Sequence, residues 1–422
     1  MMKSPTTRCA LLLVLGTLTA FTGSSRAQEF APLRTFMEDS VKDGVVVGCA
    51  AQVTQGGETI FLDAVGNIDP EGTRPLRTDD VVRIYSMTKA ITTTAAMMLL
   101  EEGRLGLDDP VSRYIPEFAD VRVADWPEGV ERIPDTMQLV APDRPVSVRD
   151  LILHTSGLGY SFSVEPALKP AYLGHWDGQT TLEGAIAHVS TIPLARQPGT
   201  EFIYGLNSDV LGRVIEVASG QSFDAFLEER LFQPLGMVDT GFSAGPPERS
   251  MPLTRKRMRD GVLVRDSAGI PGNNTSQLEA IPLGGQGLFS TLADYTRFCQ
   301  MILQKGSLDG RQYLTPETVA FMSHNHLGPH IKSNGMRFGM GFAVERPVPT
   351  PRGWRGGGRL AWSGAASTFF FIDPAQNLTA VYVTQLMPWN GGLGQRFNVA
   401  VLESIAERET PPAERETPPT ER

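Results

Sequence analysis

The stretch Tyr85-Ser86-Met87-Thr88-Lys89, continued by Ala90-Ile91-Thr92-Thr93-Thr94-Ala95-Ala96-Met97-Met98-Leu99-Leu100-Glu101-Glu102-Gly103, decides how this chain is read. Met87 to Glu102 predicts a helix rich in Ala, Met and Leu, closed by Gly103. Positions three apart on a helix share a face, with Cβ atoms about 5–6 Å apart, so Lys89 can reach the Ser86 hydroxyl. The chain has seven lysines, and only Lys89 has a serine three positions before it. A serine hydroxyl is a poor nucleophile at neutral pH and needs a base. An amine serves as that base when burial or nearby positive charge lowers its pKa. The start of the helix also offers backbone N–H groups to a developing oxyanion. An N-cap serine beside an exposed lysine gives the same spacing, and these residues alone leave both readings open.

Outward from this helix, the pattern changes on both sides. Upstream, Val45 to Thr54 and Glu58 to Gly66 predict strands joined by Gly56-Gly57, a hairpin signal. Downstream, helical segments and Pro-rich loops run to about Pro282. A short helix is expected over Val148 to Thr155, with Ser147 as N-cap, and another over Asp209 to Ser219, closed by Gly220. Strand character returns in Arg359 to Trp362, Thr368 to Asp373 and Leu378 to Leu386, the last two linked by Pro374-Ala375-Gln376-Asn377. A final helix is expected near Gln395 to Ala406. Strands at both ends with helices between predict an α+β fold, one mainly antiparallel sheet flanked by helices, with an inserted, mostly helical domain. The expected division is 28–85 with 280–406 for the sheet domain and 86–279 for the helical one.

The ends read differently. Lys3 and Arg8, the apolar Ala10 to Phe21, and Ser25-Arg26-Ala27 fit a cleaved signal peptide over 1–27. Gln28 is then the first mature residue, and the chain is secreted or periplasmic; a short anchor helix is the alternative. Residues 407–422 fall in a repeated Ala-Glu-Arg-Glu-Thr-Pro-Pro tail, too charged and Pro-rich to bury a core. Removing the signal leaves 35 basic against 47 acidic residues, net −12. Such a chain repels phosphate backbones, which argues against a nucleic-acid partner. No apolar run after the N-terminus is long enough for a membrane span. Cys49 and Cys299 lie in apolar sequence and read as two buried free thiols.

Tyr85-Ser86-Met87-Thr88-Lys89 together with Leu105-Gly106-Leu107-Asp108-Asp109-Pro110-Val111, Leu151-Ile152-Leu153-His154-Thr155-Ser156-Gly157-Leu158, Gly236-Met237, Asp239-Thr240-Gly241-Phe242 and Gly284-Gly285-Gln286-Gly287-Leu288 resembles the serine β-lactamase and penicillin-binding-protein superfamily. Within it, the pattern is similar to the class C β-lactamase-like esterases, the family VIII carboxylesterases. The resemblance runs from about Phe30 to Ala406. It implies a covalent mechanism on Ser86, with Lys89 and Tyr204 moving its proton and the backbone N–H groups of Ser86 and Ala365 holding the oxyanion. Tyr204 occupies the second motif. β-Lactam-recognising members carry Tyr-x-Asn there; here Leu206 fills the third place and Asn207 comes one step later. The third motif, Lys-Thr-Gly in β-lactamases, is replaced by Trp362-Ser363-Gly364. Trp362 and Gly364 would line the substrate site with one N–H donor and no charge. The implied substrate is a small-molecule ester or amide, and no metal or cofactor is needed. A β-lactamase or D-amino-acid peptidase, an acyltransferase, and a penicillin-binding sensor that acylates once are the rival readings.

Three further motifs compete. Gly241-Phe242-Ser243-Ala244-Gly245 matches the Gly-x-Ser-x-Gly nucleophile elbow, but that elbow needs a strand before and a helix after, and Pro246-Pro247 follows. His324, His326 and His330 have metal-like spacing without an acidic ligand beside them and read as a solvated loop. His154 is expected in the last turn of its short helix, where a cap and dipole role suffices.

Overall fold

The computed structural model describes residues 30–125, 137–174, 176, 178–266, 281–350, 353–355 and 357–409. The expected signal segment and residues 410–422 of the repeat lie outside them. Strands β1 (Gly48–Gln55) and β2 (Glu58–Gly66) form the expected hairpin. Gly56 and Gly57 at its turn have φ of 61° and 89°, the left-handed pair that a two-residue hairpin loop requires. Two short strands follow, β3 (Val82–Arg83) and β4 (Phe289–Ser290), paired with each other. The chain's last third adds β5 (Ala343–Val344), β6 (Leu360–Ser363), β7 (Phe369–Asp373), β8 (Leu378–Val383) and β9 (Leu386–Met387). The main sheet runs β5-β6-β7-β8-β1-β2, antiparallel throughout, with Ala50 paired to both Ala64 and Val383. The first hairpin therefore completes a sheet made by the chain's far end.

β1 and β8 are central and buried along almost their whole length, and even the polar Gln52 and Thr54 of β1 are buried. Alternation still sorts their side chains. Cys49, Ala51, Val53 and Tyr382 meet helices α1 (Ala31–Lys42) and α6 (Gly391–Glu409), through Phe36, Met37, Phe397 and Val401. Ala50, Val381 and Val383 face the opposite core with α5 (Leu292–Leu303). Both cysteines are buried and unbridged, and burial pushes the Cys49 thiol up to about 12. No helix among the described residues is long and apolar enough to cross a membrane.

Helix α2 (Thr88–Glu101) is buried all round from Thr88 to Leu99, the signature of a helix running through a core. It packs on α4 (Asn207–Ser219), which ends at Gly220 with φ 71°. The segment Gly284-Gly285 threads between them. A Cβ on Gly284 would lie 2.3 Å from the Ser208 carbonyl, and one on Gly285 would lie 2.6 Å from the Asp209 carboxylate. Only glycine admits this approach. The short helix α3 (Val148–Ile152) begins at Ser147 with a full capping box through Asp150.

Two expectations shift. α2 begins at Thr88, because Tyr85 has φ 44° and Ser86 lies in a 3-10 turn, Tyr85–Met87, ahead of the α-helix. His154 is not in the last turn of α3. It lies beyond the helix end at φ 55° and is buried.

Candidate active site

Ser86 sits on a strained turn. A bulky residue in the left-handed region costs about 1–3 kcal/mol and persists only where packing enforces it. Here the Arg83 guanidinium stacks 4.9 Å from the Tyr85 ring, and Ala366 and Met387 close the other side. The β6 end approaches the same turn. A Cβ on Gly364 would lie 2.3 Å from the Ile84 carbonyl, so glycine is required for the Trp362-Ser363-Gly364 strand end to reach Ser86. The N–H groups of Ser86 and Ala365 have no hydrogen-bond partner among the described residues.

Residues three apart across a helix start share a face, and Lys89, in the first turn of α2, comes back over Ser86. Lys89 Nζ is 3.2 Å from Ser86 Oγ, 3.1 Å from the Tyr160 hydroxyl and 2.7 Å from the Gly285 carbonyl. The lysine is buried, which removes the exposed-lysine alternative. Its ammonium also lies 4.7 Å from the centre of the Tyr204 ring. The Tyr204 hydroxyl accepts the Trp362 indole N–H at 3.3 Å. Thus Ser86, Lys89, Tyr204, Trp362, Gly364 and Ala365 converge, but the phenol hydroxyl bonded to Lys89 is that of Tyr160.

Tyr160 is the residue that sequence reasoning missed. It stands two places beyond Leu158, where the His154-Thr155-Ser156-Gly157-Leu158 motif breaks off, and that proximity was its only signal. Burial, then the nearby Asp209 and Tyr204, hold its phenol well above the usual range. Its loop is locked to the Tyr204 loop. A Cβ on Gly205 would lie 2.3 Å from the Leu158 carbonyl. The Ser163 hydroxyl donates to the Tyr204 carbonyl at 2.6 Å and accepts the Tyr160 N–H at 2.8 Å. Phe162 stacks on Tyr160 at 5.3 Å and is 69% exposed, which puts an aromatic face at the rim.

His154 and Asn207 form the scaffold behind Tyr204. The His154 carbonyl accepts the Ile203 N–H at 2.8 Å, and its Nδ1 lies 3.0 Å from Asn207 Nδ2 and accepts the Gly205 N–H at 3.4 Å. Asn207 Nδ2 also donates to the Leu158 carbonyl at 3.0 Å, and its oxygen accepts from Ser156. Both of its polar atoms are spent inside the fold, so Asn207 does not replace the missing Tyr-x-Asn amide. Burial, then the Lys89 charge, hold the His154 ring neutral, well below its ordinary pKa.

The competing motifs lack this convergence. Ser243 is exposed, and among the described residues its Oγ accepts only the Gly245 N–H, at 3.4 Å. His324 Nδ1 and His326 Nε2 bond to the carbonyls of Ala320 and Phe321, at the end of the helix Pro316–Met322. No group of three metal-ligating side chains occurs among the described residues.

Comparison with known proteins shows the family and the fold. The family model described as Beta-lactamase matches residues 33–402. Esterase EstB of Burkholderia gladioli is 30% identical over 376 residues, covering 84% of this chain and 90% of its own. The lovastatin esterase of Penicillium rubens is 30% identical over 390 residues, covering 85% and 94%. The solved structure of EstCE1, a hydrolase with promiscuous acyltransferase activity, superposes with a TM-score of 0.74 at 25% identity, covering 90% of this chain and 99% of its own. With a sheet built from both ends of the chain and a helical segment between, this chain belongs to the β-lactamase family, among its β-lactamase-like serine hydrolases and esterases.

Proposed function

We propose that this protein cleaves carboxylic esters through an acyl-enzyme on Ser86. The observation that carries the reading is the 3.2 Å contact between Lys89 Nζ and Ser86 Oγ, made by a buried lysine. An ammonium has three N–H donors, and Lys89 has three acceptors. When Lys89 is a neutral amine, two N–H groups stay on Gly285 and Tyr160, and its lone pair faces the Ser86 hydroxyl. Ser86 then gives its proton to Lys89 as its oxygen attacks the acyl carbon. The carbonyl oxygen becomes an oxyanion between the N–H groups of Ser86 and Ala365, which cost no reorganisation because the fold leaves them unpaired. As the tetrahedral centre collapses, the ester C–O bond breaks and the alkoxide takes a proton from Tyr204, whose hydroxyl Trp362 orients, or from Lys89. Water adds to the acyl-enzyme by the same steps in reverse order and frees the acid.

The walls select the substrate. Tyr160, Phe162, Tyr204 and Trp362 form a continuous run of aromatic contacts, with the buried Phe338 packed behind Trp362. Arg359, a cation close in sequence to the third motif, is fully buried on Glu345 and the Phe371 face and is turned away from any substrate. A carboxylate-bearing β-lactam would lose a charge-assisted hydrogen bond of roughly 1.5–3 kcal/mol, about one to two powers of ten in kcat/KM. A neutral ester loses nothing. The names of EstB and lovastatin esterase support the same substrate class. The test compares kcat/KM for p-nitrophenyl butyrate and a chromogenic cephalosporin on one preparation. The ester should be favoured at least about tenfold; equal or better use of the cephalosporin overturns the reading. We also propose that the protein is exported, on the strength of its first 27 residues. A mature N-terminus at Gln28 in the periplasmic or culture fraction is the expected finding.

A further inference from the structure

Beside Lys89 lies a buried carboxylate that the mechanism above does not use. Asp209, in the first turn of α4, is fully buried. Its Oδ1 accepts the Gly285 N–H at 2.8 Å, and the carbonyl of that same residue accepts Lys89 Nζ at 2.7 Å. Its Oδ2 has no hydrogen-bond partner among the described residues. A buried carboxylate oxygen without a donor is costly. A plain loop anchor would not need it, since an asparagine carbonyl would accept the Gly285 N–H equally well. What an asparagine cannot supply is negative charge.

We infer that Asp209 is a positioning residue for Lys89: its carboxylate stabilises the ammonium that forms when Lys89 takes the Ser86 proton, acting across the backbone of Gly285. This rests on the assignment of Ser86 and Lys89 made above. The arrangement fits the residues that must share the space. Gly285 has to be glycine, because a Cβ there would meet Oδ2 at 2.6 Å. Hydrogen bonds linked in series polarise one another in a low-dielectric interior, so the Gly285 residue, bonded to Asp209 at its N–H and to Lys89 at its carbonyl, is a short coupling. Burial raises the Asp209 carboxyl to about 6, with the Lys89 charge opposing that rise. The titratable groups around the pair are Ser86 on its turn, His154 and Tyr160 on the loop after α3, and Tyr204 on the loop before α4. His154 is held neutral and Tyr160 protonated, so Asp209 is the group that balances Lys89.

The sign of the effect follows. An adjacent carboxylate raises the pKa of an amine and stabilises its protonated form. Asp209→Asn keeps the Gly285 hydrogen bond and removes the charge. Lys89 then deprotonates more readily, and the acid limb of kcat/KM moves down by about one pH unit or more. The plateau kcat falls at least about tenfold, because the ammonium formed in the transition state loses its counter-charge. The experiment measures kcat/KM for p-nitrophenyl butyrate from pH 4.5 to 9 for wild type and Asp209→Asn, and in parallel the pH dependence of fluorophosphonate labelling at Ser86. Asp209→Ser serves as a second variant should Asp209→Asn fold poorly by circular dichroism. A lower plateau with a downshifted acid limb supports the inference. A limb at the wild-type position in a folded variant overturns it, whatever the rate, since a merely structural anchor would lower activity without moving the midpoint. Failure of the underlying assignment looks different: the wild type itself would carry no label on Ser86.

Discussion

Ser86 and Ser243 both sit on turns, yet they inhabit opposite environments. Ser86 follows a left-handed tyrosine, is overlaid by a buried lysine, and lies beside two unpaired N–H groups. Ser243 is exposed on a loop that runs into Pro246 and Pro247, and its Oγ accepts the Gly245 N–H of its own turn. The difference shows what a serine needs beside it to serve as the proposed nucleophile. The residue type and the turn are common; the base held dry beside it is rare, because a buried amine must find acceptors for its N–H groups, and only a converging fold supplies three.

The sharpest way to break this comparison is to delete each hydroxyl. Ser86→Ala should lower ester hydrolysis by at least about 10⁴-fold, while Ser243→Ala stays within about twofold of wild type, as for surface substitutions. Mass spectrometry after fluorophosphonate treatment identifies the labelled serine, and a label on Ser243 would reverse the assignment.

Next in size comes the base. Lys89→Met keeps the buried stem and removes the amine, and kcat should fall by about 10²–10⁴. The melting transition, followed by circular dichroism, should remain cooperative. A variant that retains wild-type kcat would show that Ser86 is activated by something else.

The two phenols sharpen the picture further. Tyr160 bonds to Lys89, and Tyr204 bonds to Trp362. Both Phe variants should lose about 10² in kcat, with different dependence on the leaving group. If Tyr204 protonates the departing alkoxide, Tyr204→Phe should harm a methyl or ethyl ester more than a p-nitrophenyl ester, whose leaving group needs no acid. Tyr160→Phe should harm both alike. The same ratio for both variants would mean that Tyr204 does not serve the leaving group.

The smallest effect concerns the scaffold. His154 is kept neutral in the fold, below its ordinary value of 6.5. As the pH falls through that value, the unfolded chain binds a proton that the fold refuses, so stability declines toward acid. The decline from this group is up to about 1.4 kcal/mol per pH unit. Asparagine tolerates the left-handed backbone at position 154 and does not titrate. His154→Asn should therefore lose less stability than wild type between pH 6.5 and 5.5, measured by urea unfolding at each pH. Parallel losses would show that His154 is not the group responsible.

Much of this was legible in residue order. The apolar helix after Ser86, the Gly56-Gly57 hairpin, the Ser147 cap and the Gly220 stop are local features, fixed by propensity and φ preference, and they stand where the sequence places them. The Ser86–Lys89 contact was legible for the same reason, being three positions along one turn. What local pattern could not show is which distant groups arrive. Tyr160, 71 positions from Lys89, and Gly285, 196 positions away, reach its amine because Gly205 and Gly284 let backbone meet backbone and Gly285 admits the Asp209 carboxylate. The roles of His154, Asn207 and Asp209 likewise depend on burial, which turns ordinary polar residues into fixed donors, acceptors and a counter-charge. Sequence by itself pointed to Ser86 and Lys89 as the pair to look for, and determined the sheet. Only the tertiary structure decided which phenol touches the base and which carboxylate faces it, because those contacts come from packing between segments with no periodic relation to one another.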